Sequence, residues 1–189
     1  MAKNILIISV KAIKERTGLH SNVDEKLVLP IIKIAQDMYI RPALGSELFD
    51  RIIEGIENDD LNADETTLLN DYVTDAHIWF TMSELTPELM YQFYNKGVIK
   101  KTDQNATQLS VEEIVNIENK HKRYAEHYNQ CLIRYLQQNR YLFPEYLTMQ
   151  ARIDTLKPKG FGYSTQIYLG SASPEITNKE RLSDNPFLD

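Results

Sequence analysis

The side chains best suited to hold a metal ion are the four histidines and two neighbouring aspartates, and their spacing predicts no metal centre. His121 and His127 are six residues apart, which is about 240° around a helix, so they cannot share one ion. Asp71 and Asp75 are spaced to face one cation from adjacent helical turns. No third ligand is in register with them, so a solvated helix face is the favoured interpretation. We therefore expect no metal and no cofactor.

Nucleophiles and phosphate-binding loops are equally sparse in the sequence. The single cysteine, Cys131, lies in a helical pattern without a basic cluster beside it in sequence, which favours an apolar filler over a reactive thiol. The triplet Gly160-Phe161-Gly162 is only a fragment of a dinucleotide-binding motif and lacks the strand and helix that such a site needs. His77 precedes Trp79 in an apolar helical pattern and is expected to be packed. These patterns predict a protein that is not an enzyme.

Two groups of basic residues are the candidates for contact with nucleic acid. Lys120, Lys122 and Arg123 fall in a helical pattern and are candidate DNA-facing residues. Lys96, Lys100 and Lys101 belong to a segment without helical period and are candidates for a channel-lining or inter-subunit loop. The chain as a whole carries a net charge of −6, which argues against a protein that grips DNA over a wide surface.

The segments that carry and surround these residues show mainly helical periodicity, so the sequence predicts a mainly α-helical bundle. We expect a brief helix that begins after an N-cap at Ser9 and ends at Gly18. Further helices are predicted over residues 23–40, ended by Arg41-Pro42; over 46–57, capped by Ser46; over 64–85; and from Pro87 to Tyr94. Residues 98–109 are expected to form an exposed loop or hairpin.

The last predicted helix is the longest. Ser110 and Glu113 form a capping box, and no glycine or proline follows until Pro144. A helix of about 30 residues is roughly 45 Å long, which exceeds what a domain of this size needs to enclose its own core. The stripe positions predict a core that contains Leu27, Ile31, Ile52, Leu69, Val73, Trp79, Phe80, Ile117 and Tyr128.

The organisation is expected to be a helical domain over residues 1–147 and an extended C-terminal arm over 148–189. The arm has too few apolar residues to build a core, but Phe161, Tyr163, Ile167 and Leu169 alternate with small or polar residues, as in a strand that pairs with a partner. At the other terminus, the apolar run Ile5–Ile8 suits a strand or a packed arm. It is too short for a secretory or membrane segment, so we expect the protein in the cytoplasm where it is made and no membrane contact.

Two stretches of the sequence resemble a known family. The stretch from Val23 to Asp50 (VDEKLVLPIIKIAQDMYIRPALGSELFD), and Tyr94 to Ile99 (YNKGVI) followed by a long tyrosine-rich helix, resemble the helical head–tail connector proteins of tailed bacteriophages. These are also called neck adaptor or ring proteins, and among them the sequence most resembles those of crAss-like phages. The resemblance covers roughly residues 9–143.

This resemblance implies a structural protein of the virion without an active site. In that family the subunits form a homo-oligomeric ring, usually a dodecamer, which lies beneath the portal at the head–tail junction. The ring extends the DNA channel and provides an attachment surface for the tail. The implied partners are further copies of the chain, the portal protein, other neck or tail proteins, and passing DNA without sequence specificity.

Two other classes of protein remain as alternatives. One is a DNA-binding regulator or packaging accessory protein that uses the basic residues at 96–101 and 120–123. The other, and the weakest, is a helical enzyme with an unrecognised carboxylate site. A closed ring differs from both in mass, and salt-dependent DNA binding identifies the first alternative.

Overall fold

A computed structural model of the protein describes residues 5–94, 97–100, 110–147 and 156–158. The predicted mainly α-helical bundle with one long C-terminal helix is confirmed. The helices are α1 (Val10–Arg16), α2 (Glu25–Ala35), α3 (Arg41–Leu44), α4 (Ser46–Asn58), α5 (Ala63–Leu68), α6 (Thr74–Glu88), α7 (Val111–Gln138) and α8 (Pro144–Leu147). Two π-helical turns, Gln36–Ile40 and Leu69–Val73, join α2 to α3 and α5 to α6, and a 3₁₀ turn, Arg140–Leu142, precedes α8.

The predicted starts of the first helix, α1, and of the long helix α7 are confirmed by their caps. The Ser9 hydroxyl accepts a hydrogen bond from the Ala12 N–H, and α1 follows it. At α7 the capping box is complete, because Ser110 accepts from the Glu113 N–H and Glu113 accepts from the Ser110 N–H. Each cap satisfies backbone donors that a helix leaves unpaired at its first turn.

The expectation that Arg41-Pro42 ends the second helix is wrong. The backbone stays helical from α2 through the π turn into α3, and the Arg41 N–H donates to the Gln36 carbonyl five residues back. Pro42 has no N–H to donate, and it falls at the first turn of α3, where a helix tolerates proline. The helical path ends instead at Gly45, whose φ of 79° is in the region that favours glycine.

Ser46 is not the N-cap of α4, as the sequence suggested. Gly45 holds that position, and Ser46 binds the chain segment that returns from the C-terminal side. The Leu156 N–H donates to the Ser46 hydroxyl over 2.8 Å, and the Ser46 N–H donates to the Leu156 carbonyl. A Cβ at residue 45 would lie 2.7 Å from Cγ of Pro158, so this close approach also requires glycine. Residues 156–158 therefore pack on the helical domain.

The short helix predicted from Pro87 to Tyr94 is also wrong. Pro87 lies in the last turn of α6, and the chain then forms an antiparallel hairpin of β1 (Tyr91–Tyr94) and β2 (Gly97–Lys100), with Tyr91 opposite Lys100. Aromatic residues at alternate positions favour a strand here, which the helical interpretation ignored. The hairpin begins earlier than the predicted loop or hairpin at 98–109, of which residues 101–109 lie outside the described part.

Two core clusters hold the helices together. The larger one joins α3, α4, α7 and the continuous rod that α5, its π turn and α6 form; the smaller one packs α1 and α2 against α6. Of the predicted core, Ile31, Ile52, Val73 and Phe80 are buried, while Leu69, Trp79, Ile117 and Tyr128 are half-buried. The prediction that Leu27 belongs to the core is wrong, because 41% of this residue is exposed. Trp79 packs against both clusters and so connects them.

A buried glutamine fixes the N-terminal segment. The Ile7 N–H donates to Oε1 of Gln36, and Nε2 of Gln36 donates to the Ile5 carbonyl. The side-chain amide thus satisfies one donor and one acceptor of an extended backbone, as a neighbouring strand would. Of the two options that the sequence left open for Ile5–Ile8, the packed arm is correct.

Candidate subunit-contact surfaces

The outward face of α7 carries a line of basic and polar side chains. Ala125, Leu132 and Leu136 are buried, and the exposed residues two positions away from them lie about 200° around the helix. We call this line the basic row; it consists of Lys120, Arg123 and Arg134, with His127 and Gln130 between them. Within the described residues, none of its three Lys and Arg side chains is in an ion pair.

The basic row differs from the set of candidate DNA-facing residues that the sequence suggested. Lys120 and Arg123 share one face, but Lys122 is about 100° away from Arg123 and is exposed on another side of the helix. Arg134 belongs to the row although it is remote in sequence. The signal that would have found it is its spacing of eleven residues, about three helical turns, from Arg123.

The outward face of α4 carries the opposite charge. Leu48, Ile52 and Gly55 are buried in this helix. Asp50, Glu54 and Glu57 are exposed on the other side, and Glu47, in line with them, is half-buried. We call Glu47, Asp50, Glu54 and Glu57 the acidic row. The one basic residue of α4, Arg51, lies beside the row and is directed towards the α4–α5 loop.

Arg51 connects α4 to the next helix and does not pair with Glu47, its neighbour one turn away. Its Nε donates to the nearly buried carboxylate of Glu65 over 2.9 Å, and its Nη2 donates to Asp60 over 2.8 Å. The hydrogen bonds from Arg51 to Asp60 and Glu65 raise the pKa of the guanidinium above its usual range. Glu65 also accepts the Asn62 N–H, so this carboxylate serves both as a cap and as an ion-pair partner.

Large apolar side chains remain exposed on two elements. On α2 and the π turn after it, Leu27, Ile34 and Met38 are between 41% and 54% exposed. On the N-terminal half of α7, Val111 is 61% exposed and Val115 is 44% exposed. These residues recur at helical spacing, so each set forms a line along its element.

Aromatic and hydrogen-bonding contacts join the π turn to α6. The Tyr39 ring stacks on Phe80 with centroids 4.1 Å apart, and its hydroxyl donates to Glu84 over 2.6 Å. Burial and the hydrogen bond to Glu84 raise the pKa of Tyr39 to about 12. Tyr39 therefore stays protonated at physiological pH and remains a hydrogen-bond donor.

His77 is buried, as the sequence suggested, and its role is packing. Its Nε2–H donates to the Ile32 carbonyl over 3.0 Å, which joins α6 to α2. Nδ1 is buried and has no hydrogen-bond partner within the described residues. Burial lowers the pKa of His77 to about 4, so the ring is neutral at pH 7.

The other histidines do not come together with carboxylates or the cysteine to form a metal site. His121 packs beside Trp79 and Thr86 on α6, and burial lowers its pKa. His127 lies 3.9 Å from Cys131 at the edge of the basic row, where Cys131 is half-buried. Asp75 pairs with Arg16 of α1 over 2.8 Å. Across the described ranges, no group of three or more candidate ligands is found.

Several residues with predicted roles cannot be placed. Lys100 is in β2, whereas Lys96 and Lys101 lie outside the described residues. The predicted partner-binding residues of the arm, Phe161, Tyr163, Ile167 and Leu169, lie outside them as well. Among the helices described, none is both long and apolar enough to cross a membrane.

Comparison with known proteins gives a family but no described activity. The model of a family of unknown function (DUF6712) matches residues 40–154, from the end of the first π turn to beyond α8. No curated protein and no solved structure matches the chain. Since the family match covers more than half of the sequence, the chain belongs to this family of unknown function, DUF6712.

Proposed function

We propose that the protein is a structural subunit of a tailed-phage particle. It forms an oligomeric ring at the head–tail junction beneath the portal, extends the DNA channel and provides an attachment surface for the tail. It is not an enzyme, and its partners are its own copies, the portal protein and other neck or tail proteins. The resemblance of residues 23–50 and 94–99 to head–tail connector proteins supports this proposal.

The observation that carries the proposal is the pair of exposed apolar lines on α2 and α7. Met38 is 54% exposed and Val111 is 61% exposed, although the domain has two well-packed clusters in which such side chains could be buried. Exposed apolar residues that line up along a helix are typical of surfaces that bind other proteins. A subunit of a permanent assembly completes its packing on its neighbours.

The C-terminal arm supplies a second kind of contact in this proposal. Leu156 to Pro158 are held at Gly45 and Ser46, so this part of the arm lies beside the start of α4. The alternating residues Phe161, Tyr163, Ile167 and Leu169 then add a strand to the portal or to an adjacent subunit. Deleting residues 159–189 should leave the helical circular-dichroism spectrum unchanged but prevent stable incorporation into particles.

Immunogold labelling tests the location. Antibody raised against the purified protein should bind tailed particles at the junction of head and tail, and the protein should remain in particles after stringent washing. Label at the tail tip, label over the whole capsid, or loss of the protein from washed particles would exclude a neck subunit.

The second candidate function is a DNA-binding regulator or packaging accessory protein. The basic row favours it, because three cations without ion-pair partners in the described residues lie on one exposed helix face. This function requires a free monomer or dimer that binds duplex DNA with a salt dependence set by these residues. Light scattering coupled to size exclusion, followed by a salt titration of DNA binding, separates it from a ring subunit.

A further inference from the structure

We propose that the acidic row on α4 of one copy binds the basic row on α7 of the next copy. The inference rests on the proposed ring and names the surfaces that join its subunits. The first support is their matching spacing. Glu47, Asp50, Glu54 and Glu57 repeat at intervals of three, four and three residues, and so do Lys120, Arg123, His127 and Gln130. From Glu47 to Glu57 and from Lys120 to Gln130 each line is about 15 Å long on a straight helix, and the basic row continues one turn further to Arg134. Carboxylates of the acidic row can therefore align in register with Lys120 and Arg123.

The second support is that most of these charges form no ion pair among the residues that the structure describes. Glu47, Asp50 and Glu54 form no ion pair with the described residues, and the same holds for Lys120, Arg123 and Arg134. The rows cannot meet within one copy. Both helices bury their opposite faces in the larger core cluster, through Leu48 and Ile52 on α4 and through Leu132 and Leu136 on α7. The two rows therefore point away from the same core and lie on separate faces.

The placement of the rows determines the kind of assembly. A contact between two different surfaces of identical subunits is heterologous, and it repeats from copy to copy until the chain of subunits closes into a ring. Each subunit uses its acidic row on one side and its basic row on the other. Single exposed ion pairs are weak, but complementary rows fix register and partner orientation. Ile53 and Ile56, half-buried on α4, supply apolar contact area beside the acidic row.

Nucleic acid fits the basic row less well than a second copy does. An acidic side chain accompanies its cations along the helix, because Glu126 is exposed one turn after Arg123. The whole chain also has a net charge of −6. A phosphate backbone would be repelled by these charges, and three cations would retain it only at low salt. An acidic helix face can instead place carboxylates opposite Lys120 and Arg123, the two cations that match its spacing.

Charge reversal in two complementary variants tests the contact. The first, Glu47→Lys, Asp50→Lys and Glu54→Lys, makes the acidic row basic. The second, Lys120→Glu, Arg123→Glu and Arg134→Glu, makes the basic row acidic. Each variant alone should self-associate about tenfold more weakly than the native protein, because like charges now face each other. An equimolar mixture should assemble, since every contact again joins opposite charges. Sedimentation velocity measures each state, and raising NaCl from about 0.05 M to about 0.5 M should dissociate the mixture.

A matched control keeps the net charge of the second variant but leaves the basic row intact. It carries Lys26→Glu, Lys122→Glu and Arg140→Glu, all at exposed positions off the row. Alone, it should assemble as the native protein does. Mixed with a fluorescently labelled first variant, it should take up less label than the second variant does. A labelled subunit then forms only the contact of its own basic row, because its reversed α4 row meets an unaltered basic row and it cannot be part of a closed ring. Circular dichroism confirms that each variant is folded.

Three results would overturn the inference. The first is a mixture of the two complementary variants that stays monomeric. The second is uptake of the labelled first variant by the control that equals its uptake by the second variant. The third is binding of a DNA duplex that depends on Arg123 and Arg134 while the complementary mixture fails to assemble. The proposed function fails separately: gold label at the head–tail junction with a monomeric mixture would discard only the row contact. An assembling mixture with no protein in particles would discard only the location.

Discussion

The two halves of α7 differ in how much of their surface the subunit itself covers. In the C-terminal half, Ala125, Leu132 and Leu136 are fully buried among α3, α4 and the α5–α6 rod. In the N-terminal half, Ile114 is buried, but Val111 and Val115 are exposed. One continuous helix of 28 residues, about 42 Å long, thus has one half embedded in the core and one half with exposed apolar residues.

This difference separates the residues that fold the subunit from those available to a partner. The second half supplies the fully buried side chains of this helix, whereas the first half adds Ile114 and half-buried contacts such as that of His121 with Trp79. A capping box with good geometry keeps this half helical without much tertiary burial. We infer that the embedded half determines stability and that the exposed half contributes to assembly.

The largest effect is expected from a cavity in the embedded half. Leu132→Ala should lower the free energy of unfolding by about 2–5 kcal/mol, because a fully buried side chain is lost and the packed neighbours relax only in part. Urea denaturation followed by circular dichroism measures the change. A loss below about 0.5 kcal/mol would mean that this half of α7 is not part of the core.

Acid should weaken the contact that joins α6 to α2. Burial holds the pKa of His77 at about 4 in the folded state, below the ordinary value of 6.5. A group with a depressed basic pKa binds its proton more readily when unfolded. Its contribution is therefore complete above pH 6.5 and is lost as the pH falls towards 4, by about 3 kcal/mol in total.

The test compares unfolding free energies at neutral and acidic pH in the native protein and in His77→Gln, which cannot titrate. The variant should lose less stability between the two conditions, while His121 and the carboxylates contribute equally to both proteins. Identical pH dependence would show that His77 is already accessible to solvent protons in the folded state.

A smaller effect is expected at the α4–α5 loop, where Arg51 joins α4 to Glu65 of α5. Arg51→Met should destabilise the fold by about 1–3 kcal/mol, because the Glu65 carboxylate stays buried and loses its charged partner. Adding Glu65→Gln should recover part of the loss, since no buried charge then remains. If Glu65→Gln instead lowers the free energy of unfolding by the same amount with and without Arg51→Met, the two side chains act independently.

The smallest effect on folding is expected in the exposed half. Val115→Ser should change the free energy of unfolding by less than about 0.5 kcal/mol, because the side chain is already largely in water. The same variant should weaken association between copies if this line of residues is covered in the ring. A large loss of monomer stability would erase the distinction between the two halves.

Local patterns in the sequence predicted much of this architecture, whereas contacts between distant segments could not be predicted from such patterns. Ser9 and Ser110 predict the starts of their helices, because a capping side chain and its backbone partner are only three residues apart. The path through Pro42 depends on a π turn whose register no local pattern specifies, and the role of Ser46 depends on Leu156, 110 residues away. Arg134 was not predicted as a member of the basic row, because it is remote from the consecutive charges at 120–123 and is related to them only by helical spacing.

The measurement that tests the central claim most directly is an electron-microscopy reconstruction of the head–tail junction in particles that contain the protein. We predict a closed ring of identical helical subunits beneath the portal, with α4 of each copy facing α7 of the next. A junction built without this chain, or a chain present as single copies that do not contact one another, would contradict it.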